Sequence, residues 1–315
     1  MLKLDLLDNA LDFLADAVDQ LSDADLSKTR IKYAVLHLSS AVELLLKQRL
    51  LNEHWSLIFS DINKADKTLL DSGDFKSVDF GESLNRLTRI CGITFSRHKQ
   101  VLENLKRLRN RIEHYQFSIS EDEAESLLVK TWSFVLEFVS DHLDSSLSEE
   151  AREALECIRE KMVKHETFID QRTQEIQNQL EEIRQDQTVI LDCPFCLQDA
   201  LPMTGEETRC LFCKRAFSAD QVQDEWLTLH EGWHYQDPKE MATDPLLHEC
   251  PSCKDDVGLY RIPDENMSPP DPGWLCFNCG GHWQWDEVEE CARCGSFFIR
   301  TDDEDIFCDE CWPDD

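Results

Sequence analysis

Apolar side chains recur three and four residues apart through most of the first 146 residues, which is the spacing of amphipathic α-helices. This spacing predicts helices over residues 2–21, 28–52, 82–90, 97–115 and 120–144. Ser27 provides an N-cap for the second helix, and Ser120 with Glu123 has the pattern of a capping box before the last. Residues 52–77 are looser and contain a short apolar turn and a Gly-containing loop. Residues 1–146 are therefore predicted to form one all-α domain.

A different pattern runs from residue 147 to residue 190. Nearly every residue favours helix, charges of both signs alternate, and apolar positions are sparse. We interpret residues 147–190 as a helical connector that is exposed or pairs with itself. A coiled coil is an open alternative, although the segment has no sustained heptad of apolar residues.

The predicted helix over 97–115 carries an apolar stripe and a polar face. The stripe consists of residues three and four apart: Val101, Leu105, Leu108, Ile112 and Tyr115. At about 100° per residue, Asn110 lies roughly 180°, His114 roughly 140° and Arg109 roughly 80° from its centre. These three polar side chains therefore point away from the core. Arg109 is a permanent cation and His114 titrates near neutral pH, a combination that suits metal-free cleavage of a phosphodiester.

Charge restricts where nucleic acid can bind. The chain has a formal net charge of −32. Residues 1–146 hold 18 Lys and Arg against 24 Asp and Glu, whereas residues 192–315 hold 8 against 29. Because phosphate backbones are bound through cations, the C-terminal part is poorly suited to RNA or DNA. The local exception is a basic cluster around the candidate site: Lys106, Arg107, Arg109 and Arg111.

The sequence shows neither a membrane span nor a secretory signal. No apolar stretch approaches the roughly 18 to 20 residues that a bilayer requires. The first residues carry acids at close intervals and lack a basic segment followed by an apolar run. We therefore expect a cytoplasmic protein with no membrane partner.

Residues 105–115, LKRLRNRIEHY, resemble the Arg-x(4–6)-His signature of the HEPN superfamily (higher eukaryotes and prokaryotes nucleotide-binding domains), including the polar residue after the arginine. Residues 37–47 are similar to the long second helix of such domains, and residues 78–84 to the start of the short helix before the signature. The resemblance covers roughly the first half of the chain. It implies an all-α helical bundle, a homodimer and, in active members, metal-independent ribonuclease activity.

The function expected from this resemblance is that of a metal-independent endoribonuclease with RNA as substrate, acting as a toxin or antiviral-defence effector. His114 would be the general acid or base, Arg109 would stabilise charge on the phosphoryl oxygens, and Asn110 would position the phosphate. Glu43 and Glu113 are candidates for orienting Arg109 or His114. The alternative is a catalytically inactive dimeric adaptor whose acidic C-terminal modules bind a protein partner.

Arg109 and His114 also bear on assembly. Being five residues apart on a helix, they point about 140° away from each other, so one helix is poorly placed to wrap both around one phosphate. A two-fold dimer that sets two such helices side by side would place both residue types around one cleft. We therefore expect a homodimer with a shared site.

Cysteine spacing dominates the C-terminal part. Twelve of the 14 cysteines form six C-x-x-C pairs: Cys193/Cys196, Cys210/Cys213, Cys250/Cys253, Cys276/Cys279, Cys291/Cys294 and Cys308/Cys311. Two residues between thiolates let both reach one tetrahedral ion, and the 13 residues between the first and second pairs fit a hairpin. This spacing predicts three structural Zn²⁺ sites, each closed by four cysteines. Disulfides are disfavoured in the cytoplasm, and redox C-x-x-C motifs expect a βαβ context.

The cysteine-containing segments resemble zinc ribbons, which are small zinc-stabilised β-ribbon modules. Ribbon 1 is assigned to 191–217, a linker to 218–248, and ribbons 2 and 3 to 249–315. The 22 residues between Cys253 and Cys276 include four prolines and suggest a looped-out insertion. The pairing order is open between a sequential and a cross-braced arrangement. The sequential order is favoured because the 11 residues from Cys279 to Cys291 resemble a junction between ribbons.

The remaining histidines and cysteines carry weaker signals. Four histidines lie near the ribbons, but none is needed as a ligand because twelve cysteines divide evenly into three sites: His230, His234, His248 and His282. His37 could approach the signature helix, although a hydrogen-bonded structural histidine is the better interpretation. Cys91 and Cys157 are expected to be ordinary buried or partly buried thiols.

Overall fold

The computed structural model describes residues 4–22, 27–205, 207–231, 247–255, 258–262, 273–302 and 306–312. The proline-containing segment 263–272 and His234 lie outside these residues. The chain divides into two compact units, Met1–Glu175 and Ile176–Asp315. The division falls inside the segment that the sequence suggested as a connector.

The first unit is helical. Its helices are α1 (Leu6–Ser22), α2 (Lys28–Glu53), α3 (Lys67–Ser72), α4 (Phe80–Ile90), α5 (Lys99–His114), α6 (Glu121–His142), α7 (Glu149–Met162) and α8 (Glu166–Gln185), the last of which crosses the boundary. The predicted caps are present: Ser27 accepts a hydrogen bond from the Arg30 amide, and Ser120 and Glu123 form a capping box. Within the described part of the chain, no helix has the length and apolar composition to cross a membrane.

Helix α2 lies at the centre of this unit and packs against α1, α4, α5 and α6. Its side chains Leu38, Val42, Leu45 and Leu46 are fully buried, as is Trp132 of α6. Burial of this much apolar surface in water is the main favourable term for the fold.

Helix α5 is amphipathic, but its buried face differs from the predicted stripe at both ends. The buried residues are Leu102, Leu105, Leu108 and Ile112. Val101 is only half-buried and Tyr115 is 75% exposed. The reason at the C-terminal end is that the helix stops at His114, so Tyr115 has an extended backbone and leaves the helical face.

Residues 149–185 form two helices rather than one connector. Helix α7 packs its apolar side against α1, burying Leu155, Ile158 and Met162. An ion pair between Lys161 and Asp19 joins the same two helices. The interpretation of this region as an exposed connector is therefore wrong for α7, because its sparse apolar positions are spaced to cover α1.

A buried ionic network fastens α8 to α5 and α6. The Glu137 carboxylate accepts hydrogen bonds from Arg97 at 3.1 Å, His98 at 2.7 Å and Arg172 at 2.6 Å. Arg172 is fully buried and also pairs with Glu175. Although burial alone would raise the pKa of Glu137, the hydrogen bond from His98 and the charge of Arg172 lower it well below its usual range.

We expect Glu137→Gln to destabilise the helical unit at pH 7 by about 2 to 4 kcal/mol, because it leaves buried Arg172 short of a counter-charge. The sign of the pH dependence follows from the lowered pKa of Glu137. In the unfolded chain this carboxyl protonates near pH 4.3, so its contribution is full above that pH and is lost as the pH falls toward the folded-state pKa. Hydrogen exchange of α6 and α8 amides between pH 7 and pH 4 measures both effects. Exposed Asp141→Asn on α6 is the control, and equal exchange in both variants would contradict the prediction.

Among its described residues, the second unit consists of the C-terminal part of α8, short antiparallel sheets and one further helix. The elements are β1 (Ile190–Asp192), β2 (Asp199–Pro202), β3 (Glu207–Arg209), β4 (Ala216–Ser218), α9 (Ala219–Glu231), β5 (Leu247–His248), β6 (Leu259–Arg261), β7 (Trp274–Cys276), β8 (His282–Trp283), β9 (Val288–Glu290) and β10 (Phe297–Ile299). The pairs β1–β2, β3–β4 and β9–β10 are separate hairpins, and β5 to β8 form one four-stranded sheet. Each C-x-x-C motif lies in a turn beside these strands.

Helix α9 occupies the first part of the predicted linker at 218–248. Its Trp226 donates a hydrogen bond to Asp192 at 3.0 Å and packs on Tyr260 and Phe277, with ring centroids 5.7 and 6.0 Å away. Residues 219–231 of the predicted linker therefore form a helix that packs against the first and second ribbons. A short amphipathic helix between two turn-rich segments was not recognised because its apolar positions are few.

Candidate functional site

The last turns of α5 bring four polar side chains together. Arg109 donates a hydrogen bond to the Asn110 side-chain oxygen at 3.1 Å and lies 3.0 Å from Glu113 Oε2. The same oxygen is 3.8 Å from His114 Nε2. Residues one turn apart face each other on a helix, so Glu113 can touch Arg109 while flanking His114. Glu113 was a candidate orienting residue, and the structure places it between the proposed cation and the proposed acid–base group.

Exposure of these side chains permits contact with a large substrate. His114 is 74% exposed and Arg109 is 36% exposed. Both belong to the C-terminal end of a helix, where the backbone carbonyls favour cations. This end of α5 is therefore an accessible, positively charged surface.

A cavity of about 330 Å³ adjoins Arg109 between α2, the start of α4 and α5. The residues lining it are Ser39, Glu43, Asp79, Phe80, Lys106, Arg109 and Asn110. Arg109 and Asn110 thus share one cavity, whereas His114 is not part of its lining. Of the three predicted catalytic residues, two meet at this cavity and the third stands at the helix end beside it.

Glu43 pairs with a lysine of its own helix. Its Oε1 accepts a hydrogen bond at 2.7 Å from Lys47, a buried side chain that also donates to Ser77 at 3.0 Å. Glu43 therefore holds Lys47 in position. Glu43 also belongs to the lining of the cavity beside Arg109.

Asp79 is a site residue that sequence reasoning missed, and it shares the cavity with Lys106 of the predicted basic cluster. Asp79 caps α4 by accepting hydrogen bonds from the Gly81 and Glu82 amides at 2.8 and 3.1 Å. The Glu82 hydrogen bond lowers the pKa of Asp79, against burial, and the Lys106 charge lowers it further. An Asp before a helix is a recognisable cap signal, but nothing in the sequence says that this cap faces Lys106.

A second groove lies on the other flank of α5. It has a volume of about 870 Å³ and includes the cations Arg107, Arg111 and Lys130 in its lining. The basic cluster noted in the sequence is thus distributed over both flanks of α5, with His114 at the end of the helix.

His37 has a structural role. Its Nδ1 is 2.5 Å from the Asp16 carboxylate on α1, and its ring packs near Phe13 and Tyr33. The interpretation of His37 as a hydrogen-bonded structural histidine is confirmed, because it faces α1 rather than α5.

The twelve paired cysteines form three groups of four in sequential order: Cys193/Cys196/Cys210/Cys213, Cys250/Cys253/Cys276/Cys279 and Cys291/Cys294/Cys308/Cys311. Within each group the sulfurs lie within 4.8 Å of one another, and no described cysteine forms a disulfide. The sequential order is therefore confirmed over the cross-braced alternative.

The sulfur spacing fits a single tetrahedral ion. The Sγ–Sγ distances are 3.8 Å for Cys193–Cys213, 3.8 Å for Cys250–Cys279 and 3.7 Å for Cys294–Cys308. Metal–sulfur bonds of about 2.3 Å in tetrahedral geometry separate the sulfurs by about 3.8 Å. A disulfide needs about 2.05 Å. The geometry of each group therefore suits the binding of one metal ion.

The groups differ in exposure and in the ionisation of their thiols. All four cysteines of the first group are buried, whereas Cys253 and Cys294 of the other groups are exposed. Burial raises the pKa of the Cys210 thiol well above its usual value and raises the pKa of Cys279 to about 11. Four adjacent thiolates thus need a cation to compensate their charge.

Of the histidines near the ribbons, the three that the structure describes, His230, His248 and His282, are not members of the three groups. His230 binds Asp192 at 2.8 Å, and His248 packs on Trp274 and Phe297. Outside the groups, Cys91 is half-buried, and Cys157 is exposed rather than partly buried as expected. Cys157 borders an open cavity between α1 and α7, so its thiol remains accessible.

The comparisons add no relative: the chain gives no match to protein-family models, to curated proteins or to solved structures. The class that the fold and the sites define is a helical protein followed by tetracysteine metal-binding modules. A more specific class of protein depends on the chemistry of the site at the end of α5.

Proposed function

We propose that the chain is a metal-independent endoribonuclease of the HEPN type. The observation that carries this proposal is the grouping of Arg109, Asn110, Glu113 and His114 at one exposed end of α5. The basic groove on one flank and Lys106 on the other support it, because an RNA strand crossing the helix end would meet cations on both sides.

The reaction requires only side chains of this site and the substrate's own hydroxyl. A ribose 2′-hydroxyl would attack the adjacent phosphate, and His114 would take up the proton or deliver one to the leaving 5′-oxygen. Arg109 would stabilise the charge that develops on the phosphoryl oxygens, and Asn110 would position the phosphate. Glu113, which lies 3.0 Å from Arg109 and 3.8 Å from His114, would help to orient both side chains.

We also propose a homodimer with α5 of each copy at a shared cleft. His114 lies outside the cavity that Arg109 and Asn110 line. In a dimer, the end of α5 from a second copy would bring its own His114 beside this cavity and so complete the set of catalytic residues. The biological role that fits such an enzyme is that of a toxin or an antiviral-defence effector.

The three cysteine groups are proposed to hold structural Zn²⁺. Each would be closed by four thiolates, which leaves no ligand position for a substrate, so the ion supplies folding energy rather than chemistry. The ribbons would then serve target or partner recognition, separate from RNA cleavage.

Purified full-length protein incubated with total RNA in EDTA tests the proposed reaction. We expect undiminished cleavage and products that end in 2′,3′-cyclic phosphate, because no metal takes part in the attack. Sequencing of the cleavage ends identifies the products. A requirement for added Mg²⁺, or 3′-hydroxyl ends, would exclude the mechanism.

A second candidate function is an inactive HEPN-like dimeric adaptor. The acidity of the second unit favours it, and exposed apolar side chains there would be available to a protein partner: Leu197, Leu229, Ile299, Ile306 and Trp312. An adaptor would leave total RNA intact in the experiment above and would bind its partner equally well after Arg109→Ala.

A further inference from the structure

The cavity beside Arg109 combines acceptors and donors in a way that phosphate binding alone does not require. Its volume of about 330 Å³ lies within the range of about 300 to 1,000 Å³ that small-molecule sites span. Glu43 and Asp79 contribute carboxylates, while Lys106 and Asn110 contribute donors. The ring of Phe80, which is 7% exposed, contributes apolar lining.

The groups that face the cavity retain capacity for a ligand. Glu43 uses Oε1 for Lys47, and its Oε2 has no hydrogen-bond partner among the described residues. Asp79 uses Oδ1 for both backbone caps and keeps Oδ2 without a hydrogen bond in the same part of the chain. Among the described residues, no carboxylate oxygen lies within 4.0 Å of the Lys106 Nζ atom. Two carboxylates in the lining of one cavity favour a ligand that carries hydrogen-bond donors as well as a phosphate.

We propose that this cavity binds a guanine base of the RNA strand, next to the phosphate that Arg109 contacts. Guanine places two neighbouring donors, N1–H and N2–H₂, where one carboxylate can accept both. The other bases set a lone pair against one of the carboxylate oxygens, which is repulsive. Guanine O6 and N7 are acceptors that suit the Lys106 ammonium, and unstacked RNA bases are commonly held against aromatic rings such as Phe80.

This inference rests on the proposed ribonuclease function, since Arg109 and Asn110 border both the cavity and the proposed reaction site. A base seated in the cavity would fix the register of the strand. Cleavage would then occur at a set position relative to guanine.

Calorimetric titration of the full chain with dinucleotides tests the proposal. The dinucleotides carry guanine, adenine, cytosine or uracil on the first residue, and a 2′-deoxyribose there removes the attacking hydroxyl. We expect guanine to bind about tenfold or more tighter than the others, from one bidentate contact. Equal affinity for all four bases would overturn the proposal. So would guanosine monophosphate binding as tightly as the dinucleotide, because the ligand would then be a free nucleotide.

Matched variants locate the preference. Glu43→Gln keeps an amide oxygen for Lys47 but loses the second acceptor oxygen. Lys106→Met keeps the aliphatic part of the side chain but loses the cation. Both variants should abolish the tenfold preference for guanine. Glu53→Gln is the control for the first, because Glu53 forms the same i,i+4 pair with Arg49 on α2 away from the cavity. Exposed Lys99→Met on α5 is the control for the second. A preference that survives Glu43→Gln with unchanged thermal stability, or that disappears in Glu53→Gln, would overturn the assignment.

The two proposals fail in distinguishable ways. RNA cleavage in EDTA with ends that show no bias toward guanine, and no guanine preference in the titration, overturns the base-binding inference and leaves the ribonuclease. Guanine preference without any RNA cleavage supports the cavity and overturns the ribonuclease.

Discussion

Replacing Arg109 or His114 by alanine is expected to lower the rate of RNA cleavage by about 10²- to 10⁴-fold, because each change removes either charge stabilisation or proton transfer from the transition state. Single-turnover cleavage of a defined RNA in EDTA measures this rate. Arg89→Ala is the control: Arg89 is an exposed arginine on α4, and it lines neither of the two cavities that flank α5. Cleavage that persists within a few-fold in His114→Ala would place the acid–base group elsewhere.

The same two variants test the shared cleft. Mixed dimers of Arg109→Ala and His114→Ala, prepared by co-expression with different tags, retain one Arg109 and one His114 that can meet at the interface. We expect them to recover part of the activity that each parent dimer lacks. Light scattering supplies the oligomeric state. A monomer that cleaves RNA, or mixed dimers as inactive as the parents, would show that His114 acts within its own chain.

Replacing Cys210 by serine is expected to unfold the first ribbon and to lower the metal content from three ions per chain to two. The expected loss is large because structural zinc contributes roughly 10 to 16 kcal/mol of apparent folding free energy to modules of this size. Metal analysis by mass spectrometry and hydrogen exchange over residues 190–218 measure the two effects. Amides of α2 and α6 should exchange as in the unaltered protein, since the helical unit has its own core.

Cys157→Ser provides the matched control for the metal prediction. Cys157 is exposed on α7 and belongs to none of the cysteine groups, so its replacement should leave three ions bound. A metal content near zero or one in unaltered protein purified without chelator would contradict the three-site assignment. Cys210→Ser protein that keeps three ions would contradict the role given to this residue.

Local features of the fold were predictable from the sequence. The Ser27 cap and the Ser120–Glu123 capping box depend on neighbouring backbone groups, and both are present. The cysteine groups were also predictable from spacing, because two residues between thiolates and 13 or 22 residues between the pairs of a group leave few ways to surround one ion. Spacing along the chain decides such features.

Features that depend on distant partners were not predictable. The sequence shows that Asp79 precedes a helix, but only packing of α4 against α2 and α5 brings it to Lys106 and Glu43. Helix α7 was misread because sparse apolar residues are equally consistent with an exposed helix and with a narrow contact. The predicted burial of Val101 and Tyr115 was wrong. Spacing alone does not determine whether Val101 or its neighbour Leu102 faces the core, and it does not determine the residue at which the helix ends.

Because α1 packs against α7, this part of the fold can form only after α7 has been synthesised. Lys161 and Asp19, which join these helices, are 142 residues apart. Translation delivers α1 long before α7 exists, so the side of α1 that includes Leu11 and Ala15 stays uncovered while α2 to α6 are made. A nascent chain that stalls before Glu149 would carry that apolar strip in contact with water and with chaperones. Helix α1, which is synthesised before α2 to α7, is thereby among the last of these helices to complete its packing.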